Sequence, residues 1–464
     1  MDLDPVMKPK RVAIIGASNN PEKVGHVILQ NYINVGYPGE LCPVNIKAEG
    51  KIMGLKAYRS VSEIKKVVDL AVIAIPAKLV PGMLEECGKA KVKSAIIVSG
   101  GFAEIGETGL QDQVVEIANR YGMAVVGPNC LGVMDMRSRV DTLFLPTFKI
   151  DRPGIGGVSF ASQSGAVGSS VLDMIAGEGF GLAGFISYGN AAVVDEVDIL
   201  EYLMKDKNTK VIVFYMEGVK RGKEFIEVAR KVTKIKPVIM MKGGITDEGA
   251  KAASSHTASL AGNYDAYEAV FRQFGMTVAE GIEDLLNFAK ILETQPAAGG
   301  RRIAIITNGG GTGVMATDAL YKNGLELAKL SRNSETLLKK GMPPIVNVRM
   351  PLDMAGDADD ARFDLAISTV SSDPNIDAIM VIALFQTPGA DSKVAARLIS
   401  YGASAEKPLV VVSPGGSYTQ AHRKMMESSG VPVYSSPEEA ARSLRILIDY
   451  YDYRKSHDKA NKKE

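Results

Sequence analysis

Short apolar runs of strand length recur along the whole chain, and each is followed by glycine and then a stretch with helical periodicity. The runs are rich in Val, Ile and Ala, and they end at Gly, Pro or a charged residue. Short buried strands that alternate with helices are typical of parallel sheets built from β-α-β units. The clearest runs are residues 11–16, 70–76, 94–100, 210–217, 237–243, 302–308, 378–384 and 408–413. The pattern therefore predicts an α/β fold.

Two loop-like stretches rich in Pro and Gly divide the runs into three series. They are residues 148–157 (FKIDRPGIGG) and residues 294–302 (TQPAAGGRR). A chain of 464 residues exceeds the usual size of one domain, and each series is long enough to bury its own core. We therefore predict three Rossmann- or flavodoxin-like domains with mainly parallel sheets, followed by a charged tail. The predicted bounds are residues 1–147, 148–296 and 297–452, with the tail at 453–464.

Charge and hydropathy argue against a nucleic-acid-binding protein, a membrane protein and a secreted protein. The 54 basic and 53 acidic residues give a net charge of +1, which argues against a polyanion-binding surface, so we expect no nucleic-acid partner. The apolar runs are of strand length, and the charged N-terminus leads straight into a strand, so neither a membrane span nor a signal peptide is expected. We expect a cytoplasmic protein with no membrane partner.

The three cysteines lie far apart in the chain. Cys42, Cys87 and Cys130 form no C-x-x-C pair and have no histidine cluster nearby. This spacing argues against a disulfide framework and against a zinc site. We therefore expect no metal site within this chain.

The first series begins with a strand, a glycine turn and a helix start at residues 12–25 (VAIIGASNNPEKVG). Backbone N–H groups in such a turn can hold phosphate. The spacing is not G-x-G-x-x-G, and the next run ends at Lys47 with no acidic residue to accept ribose hydroxyls. A lysine there favours a ligand with an extra phosphate, so NADP or coenzyme A fits better than NAD. Alternatively, Gly16 and Gly25 only allow close packing of helix and strand.

Three further strand ends of the first series should lie at the same carboxyl edge. They carry Ile75–Pro76, Ser99–Phe102 and Pro128–Asn129. Ligands of doubly wound sheets bind at that edge, so these residues are candidates for the same ligand. Pro76 and Pro128 could equally be simple strand terminators.

The second series offers a candidate phosphoryl site. Residues 157–168 (GVSFASQSGAVG) read as a strand, a Ser/Gly turn and a helix start, whose free N–H groups would stabilise a dianionic group. The run at 210–217 ends at Glu217, which places a carboxylate at the same edge. Such a carboxylate can orient an imidazole and make its other nitrogen more nucleophilic. The alternative for Glu217 is a salt-bridged surface residue.

One of the four histidines lies in a loop of small residues. His256 is surrounded by Ala, Ser and Thr at residues 251–262 (KAASSHTASLAG), which would leave the imidazole accessible. Imidazole can act as a nucleophile as well as a base. A hydrogen-bonded loop histidine is the plainer alternative. A serine hydrolase is disfavoured because the chain has no G-x-S-x-G motif.

Taken together, these motifs resemble a known family. The chain is similar to the α subunit of the nucleoside-diphosphate-forming acyl-CoA synthetases, especially the ADP-forming acetyl-CoA synthetases of archaea. It is more distantly similar to the α subunit of succinyl-CoA synthetase. The resemblance covers nearly the whole chain and rests on the domain order, on Ser-Gln-Ser-Gly at 162–165 and on Ser-Ser-His-Thr-Ala-Ser-Leu-Ala-Gly at 254–262.

The resemblance implies roles for individual residues. His256 would be the phosphorylated histidine on a swinging loop of the second domain, and Glu217 would orient it. The phosphoryl group would be bound by Ser162, Ser164, Gly165 and Ala166. Coenzyme A would be bound by Gly16, Ala17, Ser18, Asn19, Lys23, Asn45, Lys47, Ile75, Pro76, Ser99, Gly100, Phe102, Pro128 and Asn129. The family often has proline where this chain has Ile46, which affects the shape of that turn but not the charge of Lys47.

The resemblance also implies a reaction and a partner. Acyl-CoA, ADP and phosphate would be interconverted with a carboxylic acid, CoA and ATP, through an acyl phosphate and a phosphohistidine. Acetate is the default acid. The chain has no P-loop motif, so a separate ATP-grasp β subunit would bring ADP or ATP with Mg²⁺, in an α₂β₂ or related assembly. The third domain would dock that subunit.

Two other functions remain open from the sequence. A non-catalytic acyl-CoA-sensing module would share these domains, although it would have no need for His256 and Glu217 together. An NADP-dependent oxidoreductase is disfavoured because no Tyr-x-x-x-Lys or similar proton relay accompanies the first domain.

Overall fold

The computed structural model describes residues 1–251 and 264–461. They form two compact units, Met1–Gly177 with Gly181–Glu280, and Glu178–Phe180 with Gly281–Glu464. Within the described ranges, none of the helices is both long enough and apolar enough to cross a membrane. The predicted α/β class with mainly parallel sheets is confirmed.

The first unit contains two large sheets, and the first of these is parallel throughout. Its strands are ordered β2-β1-β5-β6-β7, while β3 and β4 form a small antiparallel hairpin. The strands are apolar and buried because helices cover both faces of the sheet. The elements are α1 (Asp4–Met7), β1 (Arg11–Ile15), α2 (Val24–Asn34), β2 (Glu40–Val44), β3 (Lys51–Ile52), β4 (Leu55–Lys56), β5 (Leu70–Ile73), α3 (Val80–Lys89), β6 (Ser94–Ile97), α4 (Thr108–Tyr121) and β7 (Ala124–Val126).

The second sheet continues from that point in the chain. Its elements are β8 (Val133–Asp135), β9 (Val140–Asp141), β10 (Gly154–Ser162), α5 (Gly165–Glu178), β11 (Gly181–Ser187), α6 (Glu196–Lys205), β12 (Val211–Met216), α7 (Gly222–Val232), β13 (Val238–Lys242), α8 (Tyr264–Gln273) and β14 (Thr277–Val278). The order is β14-β13-β12-β10-β11-β8-β9, and β8 and β9 are antiparallel to their neighbours. These two strands precede residue 147, the predicted end of the first domain, yet they extend the second sheet.

The second unit is built around another parallel sheet. Its elements are α9 (Ile282–Thr294), β15 (Arg302–Thr307), α10 (Gly310–Lys322), β16 (Glu326–Leu327), α11 (Arg332–Gly341), β17 (Leu352–Asp353), α12 (Asp360–Ser371), β18 (Ala378–Ile382), α13 (Ser392–Ala403), β19 (Leu409–Val412), α14 (Ser417–Ser428), β20 (Val433–Tyr434) and α15 (Pro437–Asn461). The order is β16-β15-β18-β19-β20, with β17 also beside β15. Residues 453–461, predicted to be part of a charged tail, continue helix α15.

Helix α9 belongs to this second unit, although the sequence prediction placed it at the end of the second domain. Its Lys290 is buried, and the ammonium group lies 2.8 Å from a carboxylate oxygen of Glu427. On the same helix, Asp284 pairs with Arg442 of α15. Such specific pairing explains why α9 packs here, whereas the proline and glycine that follow it in sequence suggested a boundary at 296.

Each large sheet has the same arrangement around its central strand. The central strands are β1, β10 and β15, and the next two major parallel strands along the chain lie on opposite sides of each. This is the flavodoxin-like order, in which a crevice opens at the carboxyl ends of the strands. The loops that follow the strands therefore carry the candidate site.

Candidate functional site

The glycine turn of the first sheet lies where its strand order reverses. Gly16 has φ +95°, and a Cβ atom there would lie 2.3 Å from the carbonyl oxygen of Ala74, which follows β5. A side chain at this position would collide with backbone, so the close approach of the two loops requires glycine. The Asn45 side chain donates a 2.8 Å hydrogen bond to the carbonyl oxygen of Ala17 and accepts one of 2.9 Å from the Lys47 N–H. The loops after β1 and β2 are thus joined.

The predicted CoA residues near this turn include two exposed lysines. Lys23 precedes helix α2, and Lys47 lies in the loop after β2. Asn19 accepts a 2.8 Å hydrogen bond from the Met53 N–H, which connects the turn to the β3–β4 hairpin. Ser18 accepts a hydrogen bond from the Asn20 N–H, which shapes the turn. The arrangement presents positive charge and backbone N–H groups together, as a phosphate ligand requires.

The other predicted CoA residues lie side by side at the same sheet edge. Ser99 donates its hydroxyl hydrogen bond to the carbonyl oxygen of Ile75, and the Asn129 N–H donates to the carbonyl oxygen of Ser99 at 2.9 Å. The loops after β5, β6 and β7 are therefore bonded to one another. Pro76 and Gly100 are exposed in these loops, whereas Pro128 is buried. Phe102 is also fully buried, and its backbone N–H donates to the Glu104 carboxylate, so the structure does not present this predicted residue to a ligand.

A cavity of 360 Å³ opens at the carboxyl edge of the second sheet. Five of the predicted site residues line it together, and they come from both sheets of the first unit: Asn129, Ser164, Gly165, Ala166 and Glu217. Predicted residue Ser162 is buried beneath them, and its hydroxyl donates a 2.7 Å hydrogen bond to the carbonyl oxygen of Ser164. His256 lies outside the described residues.

Helix α5 begins at the cavity. The Gly168 N–H donates to the Ser164 carbonyl oxygen at 3.0 Å, and the Val167 N–H donates to the Ser164 hydroxyl at 3.3 Å. The earlier N–H groups of a helix have no intrahelical acceptor, and here they belong to Gly165 and Ala166. Together with the helix dipole they form a site suited to an anion such as phosphate.

Glu217 lies across the cavity from this helix start, directly after β12. Its side chain is buried, and its backbone N–H donates a 2.7 Å hydrogen bond to the side-chain oxygen of Gln163. One carboxylate oxygen accepts a 3.3 Å hydrogen bond from the Tyr215 hydroxyl. Burial and the neighbouring carboxylate raise the pKa of Tyr215 to about 12, so this hydroxyl remains a donor.

The second carboxylate oxygen of Glu217 is buried and has no hydrogen-bond partner among the described residues. A buried carboxylate oxygen without a donor is costly, typically by about 1–3 kcal/mol or more for a charged group. The oxygen therefore retains the capacity to accept one more hydrogen bond, and Glu217 is one of the residues that line the cavity. A ring N–H of imidazole can donate such a hydrogen bond.

The sequence prediction did not include Gln163, which also lines the cavity, as does Asn190. Gln163 had a visible signal, because it stands inside the Ser-Gln-Ser-Gly motif. Asn190 follows β11. Its amide N–H groups donate to a carboxylate oxygen of Glu104 and, at 3.0 Å, to the side-chain oxygen of Gln111. The Asn190 side-chain oxygen accepts a 3.2 Å hydrogen bond from Asn129. These bonds join the loops of the two sheets.

The backbone on either side of Asn190 is joined to the first sheet as well. The N–H groups of Asn190, Ala192 and Val194 donate to the carbonyl oxygens of residues 128, 127 and 125 at 3.0–3.1 Å. Gly189 has φ +51°, and a Cβ atom there would lie 2.2 Å from the carbonyl oxygen of Asn129. The segment at 189–194 therefore lies directly against the loop that carries predicted CoA residues.

Glu196, at the start of α6, gives the first unit a pH-dependent stability. Burial raises the pKa of its carboxyl group to about 7, and it accepts a 3.0 Å hydrogen bond from the Lys220 N–H. A carboxyl group with a raised native pKa stabilises the fold below its unfolded pKa, and that contribution is lost as pH rises to about 7. Glu196→Gln keeps an acceptor and cannot ionise. We expect the free energy of unfolding of the variant, minus that of the unmodified chain, to be about 3 kcal/mol larger at pH 8 than at pH 4.5.

Denaturant unfolding at both pH values measures this difference. Glu22→Gln, at an exposed position, is the matched control and should follow the pH profile of the unmodified chain. Parallel profiles for Glu196→Gln and the unmodified chain would contradict the prediction.

Three family models match the chain in succession. They are described as a CoA binding domain at residues 10–136, a succinyl-CoA ligase-like flavodoxin domain at 155–292 and a Ligase-CoA domain at 303–457. The matches follow the order of the three large sheets. The predicted CoA edge lies within the match to the CoA binding domain, and helix α5 lies within the match to the succinyl-CoA ligase-like flavodoxin domain.

Individual relatives extend this similarity over nearly the full length. The chain is 41% identical to the α subunit of acetate–CoA ligase [ADP-forming] I of Pyrococcus furiosus, over 98% of this chain and 99% of that protein. It is 42% identical to acetate–CoA ligase [ADP-forming] I of Archaeoglobus fulgidus, over 95% of this chain and 63% of that longer protein.

A solved structure shows the same fold. The dinucleotide-forming acetyl-coenzyme A synthetase 1 of Ca. Korarchaeum cryptofilum, in complex with phosphate and ADP, superposes with a TM-score of 0.92 at 36% identity, and 99% of each chain is covered. The family suggested by the Ser-Gln-Ser-Gly and histidine motifs is confirmed. The chain belongs to the ADP-forming acetyl-CoA synthetase family, and within it resembles the α subunits.

Proposed function

We propose that the chain is the acyl-handling part of an ADP-forming acyl-CoA ligase, which converts acyl-CoA, ADP and phosphate to a carboxylic acid, CoA and ATP and back. Acetate is the proposed acid. The observation that carries the proposal is the cavity that the start of α5 and Glu217 line together, with one Glu217 oxygen unpartnered among the described residues. The α5 start suits a phosphoryl group, and the Glu217 carboxylate suits an imidazole.

The first step uses the anion site at α5. An oxygen of inorganic phosphate attacks the thioester carbonyl carbon, the C–S bond breaks, and CoA leaves as the thiolate, which takes up a proton. The product is an acyl phosphate. The N–H groups of Gly165 and Ala166 hold the phosphate charge throughout, without reorganising at the moment of reaction.

The second step is assigned to His256 by the family resemblance. One ring nitrogen attacks phosphorus, the P–O bond to the acyl group breaks, and the carboxylic acid leaves as its anion. Glu217 accepts a hydrogen bond from the other ring N–H and stabilises the positive charge that the ring acquires. In the last step an ADP oxygen attacks the phosphohistidine, the P–N bond breaks, and ATP forms.

Coenzyme A fits the edge of the first sheet. The turn at Gly16 leaves no space for a side chain and offers backbone N–H groups, and Lys23 and Lys47 add positive charge. We propose that these residues hold the CoA phosphates. The loops at Ser99 and Asn129 would then direct the thiol end toward the cavity, which Asn129 also lines.

We propose further that an ATP-grasp β subunit brings the nucleotide with Mg²⁺, in an α₂β₂ or related assembly in the cytoplasm. The cation would neutralise charge on the transferring phosphoryl group. The proposal is supported by the relative from Pyrococcus furiosus, which is itself an α subunit.

The phosphohistidine is the intermediate to test. The chain is mixed with its candidate ATP-grasp partner, Mg²⁺ and γ-labelled ATP, and protein-bound label is measured. We expect label that is stable in base, labile in acid and discharged by carboxylic acid plus CoA. His256→Asn should carry none, whereas His457→Asn on helix α15 should be labelled like the unmodified chain.

The result separates the two functions that the sequence left open. If the unmodified chain binds CoA tightly and takes up no label, the catalytic proposal fails. The non-catalytic acyl-CoA-sensing module then becomes the better interpretation.

A further inference from the structure

The residues that line the 360 Å³ cavity are of two chemical kinds. The polar ones are at the α5 start, at Glu217 and at the side-chain amides described above. The apolar ones are Val98, Leu131, Phe144 and Leu145, and Cys130 lines the cavity as well. None of these five residues has a role in the proposed steps.

The described lining of the cavity contains a single acidic or basic side chain. It is Glu217, and no Lys, Arg or His accompanies it in that lining. Burial raises the pKa of the Cys130 thiol to about 12, so this thiol stays neutral. A second carboxylate on the acyl group would find no cation here and would meet the charge of Glu217, and burying an unpaired charge is costly.

The backbone that carries Phe144 and Leu145 is fixed from two sides. The buried Asn31 amide on helix α2 donates to the carbonyl oxygens of Leu143 and Leu145, at 2.7 and 3.0 Å. Arg152 donates to the same Leu145 carbonyl oxygen at 2.8 Å. The Arg152 guanidinium is itself held by Asp141 at 2.8 Å. The backbone that carries the two apolar side chains therefore cannot move away without breaking these bonds.

An acyl phosphate has the same two kinds of surface as the cavity lining, with a dianionic end and a hydrocarbon end. When its phosphoryl group lies at the N–H groups of α5, its acyl chain lies in the rest of the cavity, where hydrocarbon is best buried against the apolar side chains. Phe144 is the largest of those side chains, and Phe144 and Leu145 stand on the backbone that Asn31 and Arg152 hold.

We propose that Phe144 and Leu145 set the size of the acyl group, and that this group carries no second charge. This inference rests on the proposed ligase function and adds which residues determine its specificity. Discrimination of a single methylene group in an apolar pocket is worth about 10–200-fold in kcat/KM. Phe144 and Leu145, the proposed wall of the acyl site, should therefore govern the ranking of acids by kcat/KM.

The test is acid-dependent turnover with a panel of acetate, isobutyrate, phenylacetate and succinate, in the presence of the β subunit, ATP, Mg²⁺ and CoA. Phe144→Ala should raise the ratio of kcat/KM for phenylacetate to that for acetate by at least about 10-fold. Phe148→Ala is the matched control, because Phe148 lies in the same segment with 84% of its surface exposed. It should leave the ranking unchanged.

Labelling by ATP requires no acid, and it reports whether each variant is folded. If Phe144→Ala takes up no label, Leu145→Ala is measured in its place with the same expected shift. An unmodified chain that turns over no acid would overturn the ligase function itself. Turnover of acetate by the unmodified chain, with the same acid ranking in the labelled wall variant, would overturn only the role of the wall. Use of succinate as well as acetate as a substrate would overturn the proposal that the acyl group carries no second charge.

Discussion

Glu217→Gln should lower kcat by about 10²–10⁴-fold, while the chain remains folded and binds CoA as before. Glutamine has nearly the same size and can still accept the hydrogen bond from Tyr215. It carries no negative charge, however, so it cannot stabilise an imidazolium or hold the imidazole as firmly in one tautomer. The rate of protein labelling from γ-labelled ATP and the rate of ATP formation from acetyl-CoA both measure the effect.

The control for this variant is Glu227→Gln, at an exposed position of helix α7. It removes the same charge from the same unit and should leave kcat unchanged. If the two variants have equal rates, the unpartnered oxygen of Glu217 has no part in the phosphoryl transfer.

Arg152→Ala should lower the free energy of unfolding by about 3–5 kcal/mol, because it leaves a buried carboxylate without its partner. The Asp141 side chain is 2% exposed and accepts its 2.8 Å hydrogen bond from Arg152. The substitution also removes a donor to the carbonyl oxygen of Leu145. We therefore expect any fraction that folds to discriminate less between acids, measured by their kcat/KM values. Denaturant unfolding monitored by circular dichroism measures the loss.

The destabilisation should depend on pH. Burial raises the pKa of Asp141 even beside Arg152, and removal of the guanidinium raises it further. The difference in unfolding free energy between the two chains should be largest at neutral pH and shrink as the pH falls through the raised pKa of Asp141, below which the folded carboxyl group is protonated with or without Arg152. Arg137→Ala, an exposed arginine nearby, should cost less than about 0.5 kcal/mol. Equal losses for the two variants would mean that the buried Arg152–Asp141 pair contributes no more to the free energy of unfolding than an exposed arginine does.

The central strands were predictable because a parallel strand buried on both faces must be a nearly continuous apolar run. The runs predicted at 11–16 and 302–308 correspond to β1 (Arg11–Ile15) and β15 (Arg302–Thr307). Strands β8 and β9 were not predicted, since they have three and two residues and lie at a sheet edge. Such short strands carry no periodic pattern, and their place depends on pairing with β11.

The candidate site was predictable only in part, for a similar reason. Ser164 and Glu217 each follow a parallel strand of the same sheet, so their meeting at one edge follows from sequence order. Phe144 lies in the loop between β9 and β10, and its place at the cavity was not predictable because those short edge strands carry no periodic pattern. The role of His256 stays a prediction, because it lies outside the described residues.

The bonds between the segment at 189–194 and the loop after β7 have a thermodynamic consequence. The CoA edge and the anion site at α5 are joined by backbone as well as side-chain hydrogen bonds, so folding of this unit fixes the distance between them. Two reactants held by one frame need not lose relative translational freedom when the reaction begins. In this unit, the entropy of bringing the two binding sites together is lost once, during folding, whereas thioester and phosphate lose their own translational freedom on binding in each cycle, before the chemical step.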